Sequence, residues 1–196
     1  MKGRESGMPP RLRWEEFFDA DEVVRKLSCP SSRRQVVEFG CGYGTFSQAV
    51  ARLPGVEEIN AFDIDPEMVK TTSDRLRVFG GLTWRVEQLD FMDRRLPMEA
   101  ESSDWVMVFN LLHIEHPGVL IEEARRLLRP AGVLSIVHWR TDVETPRGPS
   151  LDIRPTPEQC CHWCEASGFV MEREMLFTGS PFHWGLMMRK RGLDSA

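Results

Sequence analysis

A strand that runs into a helix through glycines at alternate positions confines a chain to few architectures, and residues 36–51, VVEFGCGYGTFSQAVA, have that form. Val36 to Phe39 is an apolar run of strand length, and the segment after Gly44 carries helical spacing. Glycines 40, 42 and 44 join the two, and such a turn brings bare backbone close to a neighbouring element or a ligand. The same alternation continues down the chain. EEINAFDI (57–64), LTWRVEQL (82–89), DWVMVFN (104–110) and GVLSIVHW (132–139) read as further strands. Helical patterns lie between them: Asp65 caps DPEMVKTTSDRLRVFG with Pro66 at its first turn, and GVLIEEARRLL places Leu120, Ala124, Leu127 and Leu128 on one face. Apolar strands separated by helices predict an α/β doubly wound, mostly parallel sheet covered on both faces. Ligands of such sheets sit outside the carboxyl ends of the strands, beside the first strand-to-helix turn.

The end of the chain departs from the rhythm. Thr156, Pro157 and Gln159 open a helix over PEQCCHWCEASG, and FVMEREML and HWGLMMRK follow with a short loop, so an antiparallel hairpin is expected at the C-terminal edge, giving seven strands. WEEFFDADEVVRKL reads as an added N-terminal helix with Asp19 as cap. The expected organisation is a mobile tail over residues 1–13, one domain over 14–191 and a C-terminal tail over 192–196.

Two ligand classes use a turn of this kind, dinucleotides and S-adenosylmethionine. A dinucleotide fingerprint requires G-x-G-x-x-G, and Thr45 stands where its third glycine should be. Glu38, two residues before Gly40, would repel a pyrophosphate but suits a ligand carrying an ammonium and a sulfonium. Asp63 closes the second strand 23 residues after Gly40, the spacing at which an acid reaches a ribose diol. Asp90 closes the third strand and could accept a hydrogen bond from an adenine amino group, with Phe91 or Met92 and Ile64 offering apolar surface to the ring.

Composition narrows the partners. The net charge of −5 supplies no broad cationic field for nucleic acid or an anionic membrane. No run approaches the roughly 18 apolar residues of a membrane span, and the start has no signal-like apolar region, so a cytoplasmic location is expected. Five cysteines without a secretion signal read as reduced thiols.

The chain resembles the class I S-adenosylmethionine-dependent methyltransferases, particularly their small type 11 members. EFGCGYG (38–44), FDIDPEM (62–68), LDFMDRRLP (89–97), DWVMVFNLLHIEHP (104–117) and RLLRPAGVLSIVHW (126–139) carry the resemblance, which covers roughly residues 35–139. It implies a Rossmann-like methyltransferase fold with S-adenosyl-L-methionine as cofactor. By position, Glu38, Gly40 and Gly42 would surround the methionine portion, Asp63 the ribose, Asp90 and Phe91 the adenine, and Asn110 the methyl-donor pocket. PAG at 130–132 stands where Pro-Gly-Gly is usual.

Methyl transfer from a sulfonium is an in-line displacement with a good leaving group, so alignment in a dry site supplies much of the catalysis. A base matters only when the acceptor arrives protonated, and His113 and His138, after the fourth and at the end of the fifth strand, are the candidates. The competing reading of each is a histidine that bonds a loop carbonyl. The long loop HWRTDVETPRGPSLDIRP should shape the acceptor pocket, with Trp139, Arg140, Arg147 and Arg154 as candidates to recognise an acceptor, unless the arginines pair with local carboxylates such as Asp142, Glu144 and Asp152. The N-terminal helix, with Trp14, Phe17 and Phe18, either forms a lid or packs on the sheet edge. CCHWC (160–164) reads as core packing, since no second ligand cluster completes a metal site. The expected activity is S-adenosylmethionine-dependent methylation of a small molecule. A non-catalytic S-adenosylmethionine-binding module and an NAD-dependent oxidoreductase stand as alternatives.

Overall fold

The computed structural model describes residues 8–28 and 34–192. Seven strands form one sheet: β1 (Gln35–Phe39), β2 (Glu58–Asp63), β3 (Thr83–Gln88), β4 (Ser103–Phe109), β5 (Leu128–Trp139), β6 (Phe169–Leu176) and β7 (His183–Lys190), in the order β3-β2-β1-β4-β5-β7-β6. β1 to β5 pair in parallel, and β7 runs antiparallel to both β5 and β6. The doubly wound sheet and its C-terminal hairpin therefore match the sequence reading. Within the hairpin the last strand lies one place in from the edge, and β6 takes the edge itself.

Strand alternation sorts the core onto two faces. Trp105, Met107 and Phe109 of β4 pack with Val24 and Leu27 of α2 (Ala20–Leu27), Phe46 and Val50 of α3 (Thr45–Ala51), and Leu76 of α4 (Pro66–Leu76). Val106 and Val108 face the other way, onto Leu120, Ile121 and Ala124 of α5 (Pro117–Leu127) and Cys160 and Cys164 of α6 (Pro157–Ala166). Period-two strands between two helix layers produce this division directly. Cys160 and Cys164 are fully buried and serve as small apolar core residues. α6 begins with the expected capping box, the Gln159 N–H donating to the Thr156 hydroxyl and the Thr156 N–H to the Gln159 side chain.

The N-terminal helix is two helices, α1 (Arg11–Glu15) and α2. Asp19 accepts the Glu22 N–H at 2.8 Å and caps α2, but its φ of −87° and ψ of 89° are non-helical, so no continuous helix passes through it. The chain is ordered before Trp14: Pro9 is buried and α1 starts at Arg11, whereas residues 1–7 and 193–196 of the expected tails lie outside the described residues. α2 docks on the β6–β7 connection, where the Thr178 and Gly179 N–H groups donate to the Glu22 carboxylate at 3.1 and 2.7 Å. The Lys26 ammonium beside it, with those N–H groups, lowers Glu22 to about 2.

Candidate cofactor and acceptor site

β1 ends under the glycine turn, and Gly40, Gly42 and Gly44 all adopt positive φ, 68°, 52° and 72°. At Gly44 the reason is also steric, because a Cβ there would lie 3.0 Å from the Thr72 Cα of α4. The turn folds back on β2: the Gly40 and Cys41 N–H groups donate to the Phe62 carbonyl at 2.7 and 3.1 Å, and Gly42 N–H donates to Asp63 Oδ2 at 2.8 Å. The Asp65 N–H donates to Asp63 Oδ1 at 3.0 Å. Backbone N–H groups thus orient the Asp63 carboxylate, and burial raises its pKa.

Above the turn, at the carboxyl ends of β1, β2, β4 and β5, lies a cavity of about 610 Å³. Gly40, Gly42, Asp63, Ile64, Phe91, Asn110 and His113 line it, as do Met68 and Phe109. Asn110 follows β4 in a left-handed conformation, φ 57°, fixed by its N–H donating to the Val137 carbonyl at 2.7 Å. Its Oδ1 and Nδ2 are both buried without a partner, and so is the Thr45 hydroxyl on the same wall. Buried polar atoms are rarely left this way unless a ligand or water satisfies them.

Three expected contacts sit behind the wall. Glu38 is buried beneath the turn, where it accepts the Ser47 hydroxyl, and does not line the cavity. Burial, with a smaller contribution from the Asp63 charge, pushes it up to about 8. Glu38, expected among the residues around the methionine portion, thus lies beneath the turn, which its side chain supports. Asp90 is half-buried and does not line the cavity either. Its Oδ1 accepts the Met92 N–H at 2.9 Å, and this turn presents Phe91, edge-on to Phe39 at 5.4 Å between centroids, to the cavity. His138 is the third; it is wholly buried in β5 and reaches the cavity only through His113.

Other lining residues escaped the sequence reading. Met8 and Pro9, placed in a mobile tail, roof the glycine turn, with the Tyr43 hydroxyl donating to the Pro9 carbonyl at 2.9 Å. Trp14, named in the sequence as a candidate lid residue, joins them on the wall. The Arg75 guanidinium secures this segment by donating to Glu15 and Gln48 and, at 3.0 Å, to the Tyr43 carbonyl. In the loop after β5, Arg154 pairs with no carboxylate among the described residues. Its guanidinium donates to the carbonyls of Arg140, Arg147 and Pro149 at 2.9, 3.2 and 2.7 Å, which shapes the 147–150 stretch that lines the cavity with Ile153. Arg140 does pair as expected, with Asp142 at 2.6 Å.

Residues 36–132 match the family model described as a methyltransferase domain. A demethylmenaquinone methyltransferase of Tropheryma whipplei (strain Twist) is 30% identical over 127 residues, 62% of this chain and 50% of that protein. A ubiquinone biosynthesis O-methyltransferase of Xanthomonas campestris pv. campestris is 31% identical over 116 residues, 58% of this chain and 46% of that protein. The chain thus spans about half the length of the curated relatives it matches. Among solved structures, a SAM dependent methyltransferase from Aquifex aeolicus superposes with a TM-score of 0.75 at 19% identity, over 93% of each chain, and shares the fold. Residues 36–132 thus belong to the methyltransferase-domain family.

Proposed function

We propose that the chain is an S-adenosylmethionine-dependent methyltransferase acting on a small molecule, with the cofactor held in the cavity above the glycine turn. The observation that carries this reading is the convergence on one wall of the Asp63 carboxylate with the unpartnered Asn110 amide and Thr45 hydroxyl. Asp63 would accept the ribose hydroxyls, while Ile64, Met68 and Phe91 would flank the adenine. Gly40 and Gly42 would let the amino-acid end lie close to backbone, with Asn110 and Thr45 supplying polar partners there. Asp90 and Glu38 act one layer further out, Asp90 by presenting Phe91 and Glu38 by supporting the turn. S-adenosylmethionine, when bound, supplies an electrophilic methyl group on a sulfonium.

The aromatic residues Trp14, Phe46, Phe109 and Trp139 line the cavity and would keep it dry, which favours displacement by a neutral or anionic acceptor. The relatives' names, with demethylmenaquinone in one and ubiquinone biosynthesis in the other, support a small-molecule acceptor. The net charge of −5 argues against nucleic acid. No helix among the described residues is long and apolar enough to cross a membrane, and a cytoplasmic site of action is part of the proposal.

Calorimetry with S-adenosylmethionine, S-adenosylhomocysteine and NAD tests the assignment. The first two should bind and NAD should not. Replacing Asp63 by Ala should weaken binding at least about 100-fold, since both the ligand contact and the tie to Gly42 are lost. Unaltered binding in that variant would place the cofactor elsewhere.

A further inference from the structure

Where the loop after β4 meets the end of β5, two histidines are joined. His113 Nδ1 lies 3.2 Å from His138 Nε2, and His138 Nδ1 lies 3.5 Å from the Trp139 carbonyl oxygen. A carbonyl only accepts, so the single proton of a neutral His138 belongs on Nδ1, and its Nε2 presents a lone pair. His113 must then donate from Nδ1, which leaves its Nε2 unprotonated. His113 lines the cavity, whereas His138 is fully buried against Trp184.

Resting on the methyl-transfer reading above, we propose that His113 is the base that receives the acceptor's proton at Nε2. His138 is a positioning residue that fixes the His113 tautomer, and the acceptor is a hydroxyl on a planar, apolar molecule of the phenol class. In the step, the acceptor oxygen forms a bond to the methyl carbon, the electron pair of the breaking carbon–sulfur bond stays on sulfur, and the hydroxyl proton passes to His113 Nε2. The resulting imidazolium keeps its Nδ1–H bond to His138, now charge-assisted.

The surroundings suit this division of labour. Burial lowers the pKa of both histidines, so His113 is neutral and ready to accept a proton at pH 7. The other charged or titratable groups acting on His138 are His183 and Arg154, both of which further disfavour a proton there. Trp14, Phe46, Phe109, Trp139 and Ile153 give the cavity flat apolar walls. An amine acceptor would arrive as an ammonium and want a free carboxylate to hold it and take its proton. Asp63 is the one carboxylate among the described lining residues, its two oxygens already accept the Gly42 and Asp65 N–H groups, and Arg147 adds a cation to the wall.

Nitrogen-15 imidazole spectra of the protein, alone and with S-adenosylhomocysteine, read the tautomer without turnover. His113 should be protonated at Nδ1 and bare at Nε2 near neutral pH. His138→Phe should abolish that preference, and His138→Gln, whose amide oxygen can accept, should restore it. With S-adenosylmethionine and phenols of graded acidity, His113→Gln should lose about 10²- to 10⁴-fold on phenols that arrive protonated and little on those already ionised. His138→Phe should lose roughly tenfold on the same protonated phenols, with recovery in His138→Gln. S-adenosylhomocysteine affinity should be unchanged in all three variants, so a base assignment that fails is separated from a failed cofactor assignment, in which the unaltered protein binds none. An Nε2-protonated His113, a loss uniform across the phenols, or preferential methylation of benzylamine or thiophenol overturns the proposal.

Discussion

Glu38 holds a proton that the unfolded chain would release. Its carboxyl lies in the core with the Ser47 hydroxyl as its hydrogen-bond partner, and burial raises it from 4.5 to about 8. Between those values the folded state binds more protons than the unfolded state, so this group's favourable contribution is complete below pH 4.5 and is lost as pH rises through 8. Glu38→Gln keeps an acceptor for Ser47 and carries no charge. The variant should therefore match the unaltered protein in denaturant midpoint near pH 4.5 and exceed it at pH 8, with the difference opening across that interval; a constant offset would contradict the assignment. The same residue shows how far sequence reading reaches. An acid beside the turn was visible in EFGCGYG, but whether its side chain faced ligand or core depends on α3, which brings Ser47 over β1. Asp63 was legible because its spacing from Gly40 fixes it on the next strand, at the register where the turn folds back.

At the scale of elements, the clearest departure from expectation is β5, which begins at Leu128 directly after α5 and four residues before the predicted start at Gly132. Lys190 and Arg189 of β7 account for the extension, donating to the Leu128 and Ala131 carbonyls at 2.6 Å each. The register with β4 slips between Ser103 and Trp105 to accommodate it. In this stretch Ala131 occupies φ 62°, a left-handed conformation that costs a residue with a Cβ about 1–2 kcal/mol. Ala131→Gly removes that strain but loses part of the gain to the greater freedom of glycine in the unfolded chain, so a net stabilisation of about 0.5–1 kcal/mol is expected. In a chain of this length that is a rise in Tm of about 1–4 °C by calorimetry; a fall would mean that Ala131 is not held at positive φ. Gly132 cannot be changed in the same way, because its Cβ would come within 2.9 Å of the Arg129 carbonyl oxygen. Strands and helices with period-two or period-3.6 apolar patterns were readable from residue order alone. The start of β5 and the break between α1 and α2 were not, since long-range bonds from β7 set one and the non-helical backbone at Asp19 sets the other.

For the molecule as a whole, the sheet supplies the floor of the cavity, while segments remote from it in sequence close the sides. Met8, Pro9 and Trp14 approach from the N-terminal side and residues 147–153 from the loop after β5, held by Arg75 and Arg154 respectively. Trp14 and the loop after β5 were legible as pocket-shaping segments, whereas Met8 and Pro9, which precede any periodic pattern, were not. If the roof contributes to holding the cofactor, ligand binding and the Arg75 ties must be thermodynamically coupled. Ligand at 100 times its Kd stabilises the folded state by about 2.7 kcal/mol, a Tm increase of roughly 5–10 °C for a protein of this size. Arg75→Met leaves every lining residue in place but removes the bonds to Glu15, Gln48 and the Tyr43 carbonyl, so the segment must be ordered by the ligand itself, at the expense of one or two hydrogen bonds of about 0.5–1.5 kcal/mol each. Binding should weaken about tenfold, or 1.4 kcal/mol, and the S-adenosylhomocysteine-induced rise, measured against the variant's own ligand-free Tm, should fall to about half. Amide exchange across residues 8–18 should show the same coupling, slowed by ligand in the unaltered protein and faster in ligand-free Arg75→Met. An undiminished thermal shift in the variant would show that the floor alone binds the cofactor and that the roof serves only the acceptor side.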